Sequence, residues 1–393
     1  MSICVILDSL AASEKKGDLE LFWYEMRRLK EIFSRVLIFS LRGGYSNEAK
    51  KRGFVIYTFG SSAHPLGKAI LLPKVVLTLL LARPSLIRSY GLEEGLFAVV
   101  SAKLLRVPCV VSVHTESQLF WTLMSGRSQL RRIVTALMEN IVPRSTDVLV
   151  AVSSRIATYA RNCGARRIVV IPAGVNLSLF QALPSEAKDR VILFAGNLTS
   201  LKNVQTLIHA MPQVLETFPD AKLIVLGDGP QREYLETVAK NLGVTEQVEF
   251  KGFVTQSTFA QYLRQTQVFV LPSLLEGSPK ALVEAMAAGK AIVASDIPAT
   301  REIIRHGYDG ILVPKANSGF FAEAICSLLS DIPRQREIGA RARKAAERFD
   351  ISKTIKAWLD LYARMVAREH DPKLIELSRS SLLCRKAIGM SDN

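Results

Sequence analysis

The sequence predicts an α/β fold made of two Rossmann-like, doubly wound parallel-sheet domains in tandem. Short apolar segments alternate with longer helical patterns along most of the chain, and this alternation is typical of parallel sheets built from β-α-β units. The alternation lapses at residues 172–189 and then restarts, which indicates a linker. Two long helical patterns follow the second series, before a polar tail.

Thirteen segments have the apolar character of buried parallel strands. They read ICVIL, RVLIFSL, FVIYTF, LIRSY, PCVVSV, DVLVAV and RIVVI in the first half, and VILFAG, KLIVLG, QVEFKG, VFVLP, AIVAS and GILVP in the second. Helical periodicity is found at 18–33, 94–105, 154–162, 204–215, 231–242, 280–288, 320–329, 334–348 and 351–369. We therefore expect domains at 1–180 and 181–350, a helix at 351–370 that packs back on the first domain, and a polar tail at 371–393.

The composition fits a soluble chain with two cores. The protein has 393 residues, of which 49% are hydrophobic, and no apolar run approaches the roughly 20 residues that span a bilayer. The first segment, MSICVILDSL, has no basic leader and is expected to be a strand rather than a signal peptide. Five scattered cysteines without CxxC spacing argue against a disulfide framework or a zinc site and favour the cytoplasm.

The positive charge is concentrated in the first half of the chain. The formal net charge is +15, and residues 1–180 contain 24 Lys and Arg against 12 Asp and Glu. Such an asymmetry predicts contact with something anionic, such as lipid headgroups, nucleic acid or phosphorylated substrates. No nucleic-acid-binding motif is present, so we expect a lipid or phosphate partner and no nucleic acid.

The stretch LEGSPKALVEAMAAGKAIVASD, at 275–296, places two carboxylates, Glu276 and Glu284, eight positions apart. Ser278 and Pro279 suit the N-cap and first position of a helix, and Gly289 suits its end. The amide groups at such a helix start attract phosphate. At about 1.5 Å per residue the carboxylates would be roughly 12 Å apart, a span comparable with a nucleotide-diphosphate-sugar. A chance spacing of two surface glutamates would give the same bare pair.

The stretch as a whole resembles the E-x7-E signature of the retaining glycosyltransferases of the GT-B fold, in particular those of family 4. The matching positions are Glu276, Gly277, Leu282, Glu284, Ala285, Met286, Ala287, Gly289 and Asp296. The resemblance implies two facing domains with an interdomain cleft, in which domain 1–180 binds the acceptor and domain 181–350 binds the nucleotide-sugar. It departs from the pattern at Pro279, where the family often has a glycine whose amide serves the donor. Lys280 is hypothesised to compensate electrostatically.

A second match is FAGNLTSLKN, at 194–203. The family pattern there is Gly-Arg-Leu followed by Lys-Asn or Lys-Gly, with both cations on the donor diphosphate. Lys202 aligns with the lysine, whereas Asn197 stands at the arginine position, so one positive charge is missing. The segments VIPAGVNLSLF and IVLGDGPQREYL also match, although Gly227 and Gly229 in the latter fit an ordinary turn equally well.

The resemblance also implies site residues in the first domain. Gly17 in KKGDLE matches a loop glycine near the donor phosphate and acceptor, and His114 in SVHTE matches a histidine near the transferred sugar. The implied catalytic residues are therefore Glu276, Lys202 and His114. The implied donor-binding residues are Glu284, Asn197, Gly277, Ser278, Lys280, Gly17 and Leu282.

The segment 119–144 combines apolar side chains with several arginines. This mixture fits an amphipathic element that docks on an anionic membrane, and ordinary helix packing explains its apolar part equally well. We accordingly expect a cytoplasmic protein with peripheral contact at the inner face of the membrane.

The implied function is transfer of a sugar to a hydroxyl of a glycan or lipid-linked acceptor, with retention of configuration, in polysaccharide or cell-envelope biosynthesis. UDP-sugars are the first candidate donors and GDP-mannose the second. No cofactor or metal is expected, because no DxD motif follows a strand. Three alternatives stay open: a sugar-nucleotide 2-epimerase of the same fold, a nicotinamide oxidoreductase, for which GxGxxG is missing after the first strand, and a non-enzymatic basic binding protein.

Overall fold

The computed structural model describes residues 1–8, 19–41, 54–60, 70–114, 129–180 and 190–370. The chain forms two compact units. The first contains Met1–Pro172 and the returning segment from Ser352 onward, and the second is the continuous stretch Ala173–Ile351.

The boundary between the units lies at residue 172 and not at the predicted residue 180. Val175 belongs to the second unit because its N–H donates to the carbonyl of Phe349 (2.9 Å) and its carbonyl accepts from Ile351 (3.0 Å). Phe180, which is 2% exposed, packs in the core of the second unit. The lapse in periodicity after residue 172 therefore includes residues that are already anchored to the second unit.

The first unit contains a seven-stranded parallel sheet. Its strands are β1 (Ser2–Leu7), β2 (Arg35–Ser40), β3 (Val55–Thr58), β4 (Leu86–Tyr90), β5 (Cys109–Val113), β6 (Val148–Ala151) and β7 (Ile168–Val170). Helices α1 (Leu19–Leu29), α2 (Leu72–Ala82), α3 (Leu92–Leu105), α4 (Gln129–Ser145) and α5 (Ser154–Asn162) connect them. The strand order is β3-β2-β1-β4-β5-β6-β7.

The second unit contains a six-stranded parallel sheet. Its strands are β8 (Val191–Ala195), β9 (Lys222–Leu226), β10 (Val248–Gly252), β11 (Val268–Leu271), β12 (Ala291–Ser295) and β13 (Ile311–Val313). The helices that follow β8 are α6 (Val204–Thr217), α7 (Arg232–Asn241), α8 (Gln256–Gln265), α9 (Lys280–Ala287), α10 (Pro298–Arg301), α11 (Ser318–Ser330), α12 (Ile332–Ala346) and α13 (Ile351–His370). The strand order is β10-β9-β8-β11-β12-β13.

The two sheets share one winding pattern. In each, the order of the strands reverses next to the first strand of the unit, between β1 and β4 and between β8 and β11. Open α/β sheets bind ligands beyond the carboxyl ends of the strands at this switch point. The predicted fold class, with thirteen strands in two Rossmann-like sheets, is confirmed.

Both faces of the first sheet are covered, as expected for a parallel sheet. Along β1, Ile3 and Val5 belong to one apolar cluster and Cys4 and Ile6 to another, because successive side chains of a strand point to opposite faces. Trp358 and Tyr362 of α13 are buried in the same cluster as Ile3 and Val5. Helix α13 is thus part of the core of the first unit.

Four of the described helices were not predicted: α2, α4, α8 and the four-residue α10. Helix α2 has the sequence LPKVVLTLLLA, which is too uniformly apolar to show a helical period. Helix α4 leaves Ile133, Leu137 and Ile141 about half exposed, at the four-residue spacing that puts side chains on one helix face. Within the described part of the chain, no helix is both long and apolar enough to cross a membrane.

Candidate active site

Two loops of the second unit meet beyond the carboxyl ends of β8 and β11. One loop, residues 196–203, follows β8, and the other, residues 272–279, follows β11. Since β8 and β11 flank the switch point of the sheet, the loops occupy the position where this architecture binds ligands. The predicted residues Lys202 and Glu276 lie one in each loop.

Lys202 and Glu276 form an ion pair in which Nζ lies 2.5 Å from Oε1. The same carboxylate oxygen accepts a hydrogen bond of 2.6 Å from the hydroxyl of Ser273, a residue that is fully buried. The side chain of Lys202 is 23% exposed, and that of Glu276 is 8% exposed. The hydroxyl of Ser273 therefore orients the carboxylate of Glu276, while the side chain of Lys202 remains partly accessible to solvent.

Hydrogen bonds hold the two loops side by side. The N–H of Leu274 donates to the carbonyl of Leu201 (2.8 Å), and the amide Nδ2 of Asn203 donates to the carbonyl of Pro272 (3.3 Å). Asn203 has a left-handed backbone conformation, with φ 50°. Glycine and asparagine adopt this conformation most readily, which gives a physical reason for a Lys-Asn or Lys-Gly pattern at this point.

The start of helix α9 differs from the prediction. Pro279 and not Ser278 occupies the N-cap position, with φ −76° and ψ 90°, and its carbonyl accepts from the N–H groups of Leu282 (3.1 Å) and Val283 (3.4 Å). No side chain caps this end of the helix. The proline ring does not prevent this arrangement, because an N-cap residue needs only its carbonyl for the first helical bond. Gly289 follows the helix with φ 70°, as predicted for its end.

Glu284 lies inside α9 and is 6% exposed. Its Oε1 accepts a hydrogen bond of 3.2 Å from Nε2 of Gln256, the first residue of α8. Only residues 280–284 of the segment between the two glutamates are helical, so the helical rise accounts for about 6 Å of their separation. The predicted span of roughly 12 Å assumed a continuous helix, and this assumption is wrong.

The other predicted donor-binding residues of the second unit occupy different environments. Gly277, Ser278 and Lys280 are partly exposed at or before the start of α9, and Asn197 is exposed in the loop after β8. Leu282 is 0% exposed in the core, and its N–H is bonded to Pro279. The side chain of Leu282 anchors α9 in the core, and its role in donor binding stays a prediction.

Two glycines after β9 allow the loop after β8 to pack closely. Gly227 has φ 125°, and a Cβ there would lie 1.9 Å from the carbonyl oxygen of Gly196. A Cβ at Gly229 would lie 2.5 Å from the carbonyl oxygen of Leu198. Both glycines therefore have a packing role, and they support the loop that leads to Lys202.

In the first unit, His114 directly follows β5 and is exposed. Its Nε2 lies 3.3 Å from the hydroxyl of Ser112, and its ring stacks on Tyr90 with 6.0 Å between centroids. The hydroxyl of Tyr90 donates to Glu25 (2.8 Å). Burial raises the pKa of Tyr90 above its ordinary value, which keeps the phenol protonated as the donor.

A buried arginine completes this network. Arg88 is 1% exposed, pairs with Glu25 and lies 3.8 Å from the ring centroid of Trp358, a contact typical of cation–π interactions. Sequence reasoning missed this cluster, because its members are spread over α1, β4 and α13. Gly17, residues 115–128 and the polar tail lie outside the described residues. The predictions for Gly17 and for residues 119–128 of segment 119–144 therefore stay predictions.

No group of three or more histidines, cysteines, aspartates or glutamates able to hold a metal ion is found among the described residues. One buried cation of the second unit, Lys290, is held by a backbone carbonyl, that of Arg264 (3.3 Å). Burial lowers the pKa of Lys290 to about 8.

Comparison with known proteins gives matches over both units. Residues 177–345 match the model of the family described as glycosyl transferases group 1, and residues 26–179 match that of glycosyltransferase family 4. Together the two matches extend over most of the chain.

Two curated relatives illustrate the similarity. A phosphatidyl-myo-inositol mannosyltransferase of Mycobacterium leprae is 32% identical over 252 residues, which are 62% of this chain and 64% of the relative. A D-inositol 3-phosphate glycosyltransferase of Streptomyces bingchenggensis is 27% identical over 300 residues, 71% of this chain and 66% of the relative. The chain thus spans slightly less than two thirds of the length of each.

Among solved structures, the crystal structure of Anabaena HepE in complex with UDP has a TM-score of 0.75 at 23% identity. The match covers 93% of this chain and all of that one. At this identity the similarity supports the fold, and it agrees with the two parallel sheets described above.

Proposed function

Because the chain belongs to the family 4 glycosyltransferases of the GT-B fold, we propose that it transfers a sugar from a nucleotide-diphosphate-sugar to an acceptor hydroxyl with retention of configuration. The single observation that supports this most is the ion pair of 2.5 Å between Lys202 and Glu276 at the switch point. It combines a cation for a diphosphate with a carboxylate for sugar hydroxyls at the edge where nucleotides bind.

The proposed role of Lys202 is to bind the donor diphosphate. A compact ammonium is a suitable partner for phosphate oxygens, and its 23% exposed side chain is accessible to a ligand. A diphosphate carries more negative charge than one carboxylate, so it would compete with Glu276 for the lysine. The uncapped start of α9 would add N–H dipoles to the same anion.

The proposed role of Glu276 is to accept hydrogen bonds from the hydroxyls of the donor sugar. When Lys202 turns to the diphosphate, the carboxylate stays oriented by the hydroxyl of Ser273 (2.6 Å). Glu284, which is held by Gln256, would accept from the hydroxyls of the ribose. The two acidic residues would then fix the two ends of the donor.

In the proposed reaction the bond between the anomeric carbon and the diphosphate oxygen breaks, and the nucleoside diphosphate leaves with the electron pair. The acceptor oxygen forms its bond on the same face, and its proton passes to the departing diphosphate. Lys202 lowers the barrier by stabilising the charge that develops on this leaving group. The proposal involves no metal ion, so excess EDTA should leave the rate unchanged.

The donor and the acceptor are proposed by class. UDP-sugars are the first donors to test, since the structural neighbour HepE was crystallised with UDP, and GDP-mannose is the second. The acceptor is proposed to be a glycan or lipid-linked hydroxyl of the cell envelope. The exposed face of α4 that carries Ile133, Leu137 and Ile141 supports peripheral contact of the enzyme with an anionic membrane.

A thermal-shift panel of nucleotide-sugars, followed by a nucleotide-release assay with candidate acceptors, tests the proposal. The selected donor should raise the melting temperature of the wild type, and Glu276→Gln should reduce acceptor-dependent release by on the order of a hundredfold. Glu249→Gln, a partly exposed position in β10, serves as the control. Unchanged release in Glu276→Gln, or epimerised donor formed without an acceptor, would contradict the proposal.

A further inference from the structure

The first unit contains a cavity of about 1130 Å³ at the end of the sheet where the strands begin. His114 lies at the opposite end, where the strands finish. The residues that begin β5 and β7, Cys109 and Ile168, and the first residue of β6, Val148, line it, whereas His114 follows the carboxyl end of β5. We call it the basic cavity, after its cationic lining residues, which are Lys103, Arg106, Arg161, Arg166, Arg167 and Arg364.

The lining of the basic cavity is strongly unbalanced in charge. Six cationic side chains face one carboxylate, that of Asp147, among the described lining residues. The Oδ2 atom of Asp147 already accepts a hydrogen bond of 2.8 Å from the N–H of Cys109. The carboxylate is thus partly engaged with the backbone and neutralises only a small part of the positive charge.

Five of the six cations, all except Arg364, form no ion pair with any residue that the structure describes. Lys103 and Arg106 lie at the C-terminal end of α3 and Arg161 at that of α5, where the helix dipole favours positive charge. Arg166 and Arg167 lie between α5 and β7, outside the last turn of any helix. Interaction with a helix dipole therefore does not account for the presence of these two exposed arginines.

The apolar part of the lining adds a second property. Val99, Val107, Leu361 and Met365 line the same cavity as the cations. Small-molecule sites combine an apolar surface with a few polar groups and have volumes of about 300–1,000 Å³. The basic cavity is slightly larger than this range, and it offers both guanidinium groups and an apolar wall.

A cavity of the second unit provides a comparison. It has a volume of about 580 Å³ and is lined by Arg334 and Arg341 together with Asp331 and Glu337. Its charges cancel, and Arg341 is paired with Glu337. The charge imbalance of the basic cavity is therefore not a general property of the surface of this protein.

We propose that the basic cavity binds a phosphate-bearing anion, separately from the candidate active site. The planar guanidinium groups of Arg161, Arg166 and Arg167 match phosphate oxygens with paired N–H donors, and the apolar wall accommodates the group that the phosphate esterifies. The same chemistry is offered by a soluble phosphate and by the headgroup of an anionic phospholipid.

The test compares the full-length wild type with Arg166→Ala/Arg167→Ala. Calorimetry with inorganic pyrophosphate measures binding of a soluble phosphate. Co-sedimentation with phosphatidylcholine vesicles, with and without phosphatidylglycerol, measures binding of a headgroup, because basic segments adsorb on anionic membranes. Arg334→Ala/Arg336→Ala removes the same charge from the second unit. Lys202→Met removes the binding of pyrophosphate at the candidate active site, so the calorimetric signal that remains in this variant comes from the basic cavity.

We expect Arg166→Ala/Arg167→Ala to weaken binding to the basic cavity roughly tenfold or more, while Arg334→Ala/Arg336→Ala retains it. Lys202→Met should lose only the pyrophosphate that binds at the candidate active site. A loss in calorimetry alone assigns the cavity to a soluble phosphate, and a loss in vesicle binding alone assigns it to a lipid headgroup. Binding that is equally weakened by both arginine pairs, or by neither, would overturn the proposal. Circular dichroism verifies that the variants are folded.

Discussion

The Lys202–Glu276 pair of the second unit and the Arg88–Glu25 pair of the first both lie at the centre of their sheets, beside the point where the strand order reverses. Their surroundings differ. The side chain of Lys202 is 23% exposed in a loop, whereas the side chain of Arg88 is 2% exposed and contacts the rings of Tyr90 and Trp358.

Because its cation is more exposed, the Lys202–Glu276 pair can exchange partners, whereas the Arg88–Glu25 pair cannot. A solvent-accessible lysine can leave its carboxylate for a diphosphate at little cost, because water and ligand replace the lost contact. A buried arginine that leaves its carboxylate exposes two uncompensated charges to an apolar interior. We therefore interpret the Lys202–Glu276 pair as functional and the Arg88–Glu25 pair as structural, and the following variants test this distinction.

The largest effect is expected in the first unit. Arg88→Met should lower the free energy of unfolding by about 3–5 kcal/mol, because the largely buried Glu25 loses its cation and keeps only the described hydrogen bond from Tyr90. Urea unfolding followed by tryptophan fluorescence measures this selectively, since Trp23, Trp121 and Trp358 all fall in the chain ranges of the first unit. The double variant Arg88→Met/Glu25→Leu should recover part of the loss. A loss below 1 kcal/mol in the single variant would refute the structural role.

The next largest effect concerns activity. Lys202→Met should reduce acceptor-dependent nucleotide release by on the order of 10²–10³-fold, because the leaving diphosphate loses its cation. The urea midpoint followed by circular dichroism, which reports on both units, should fall less than that of Arg88→Met. Lys222→Met, an exposed lysine at the start of β9, is the matched control. A rate within threefold of the wild type would show that the pair is not functional.

Lys290 sharpens the comparison, because it is a buried cation whose described hydrogen-bond partner is a carbonyl and not a carboxylate. Its pKa is about 8 in the folded chain, against 10.5 for a free lysine. Between these values the unfolded chain binds more protons, so the free energy of unfolding should rise with pH, by at most roughly 3 kcal/mol. At pH 7 both states are charged, and this contribution is absent.

Urea unfolding followed by circular dichroism at pH 7.5 and pH 10 measures this dependence. Other groups titrate in the same range, so the relevant quantity is the difference between the wild type and Lys290→Met. The wild type should gain stability over this range relative to Lys290→Met, and Lys222→Met should behave as the wild type does. Identical pH dependence in Lys290→Met would contradict the low pKa.

The smallest effect is expected at an exposed pair. Arg190 and Asp220 approach to 2.6 Å, with side chains that are 40% and 55% exposed. Asp220→Asn should change the free energy of unfolding by less than about 1 kcal/mol, because solvent screens such pairs, and 0.5 M NaCl should remove even this difference. A loss as large as that of Arg88→Met would show that burial is not what distinguishes the pairs.

The sequence predicted the strands better than the helices. Each strand is a short apolar run, since a parallel sheet is covered on both faces, and such runs are visible without knowledge of the partner strands. Helix α8 (QSTFAQYLRQ) buries only two side chains, Phe259 and Leu263, so few apolar residues mark it in the sequence. The start of α9 was misplaced by one residue because Ser278 has the preferred side chain for a cap that the backbone does not use.

The site was predictable only where its residues belong to a local motif. Lys202 and Glu276 each stand in a recognisable pattern, and the structure brings them into contact. Ser273 and Gln256, which orient the two glutamates, are an ordinary serine and glutamine whose role depends on tertiary hydrogen bonds. The network from Arg88 to Trp358 joins residues 270 positions apart, and no local pattern reports such a contact.

The arrangement of the units along the chain has a consequence for biosynthesis. The second unit is one uninterrupted stretch, whereas the first lacks Trp358 and Tyr362 of its core until α13 has been made. Domains generally fold as units while the ribosome elongates the polypeptide. Here the second unit can mature first, and the core of the first unit, although most of it is translated earlier, is completed only when α13 has left the exit tunnel.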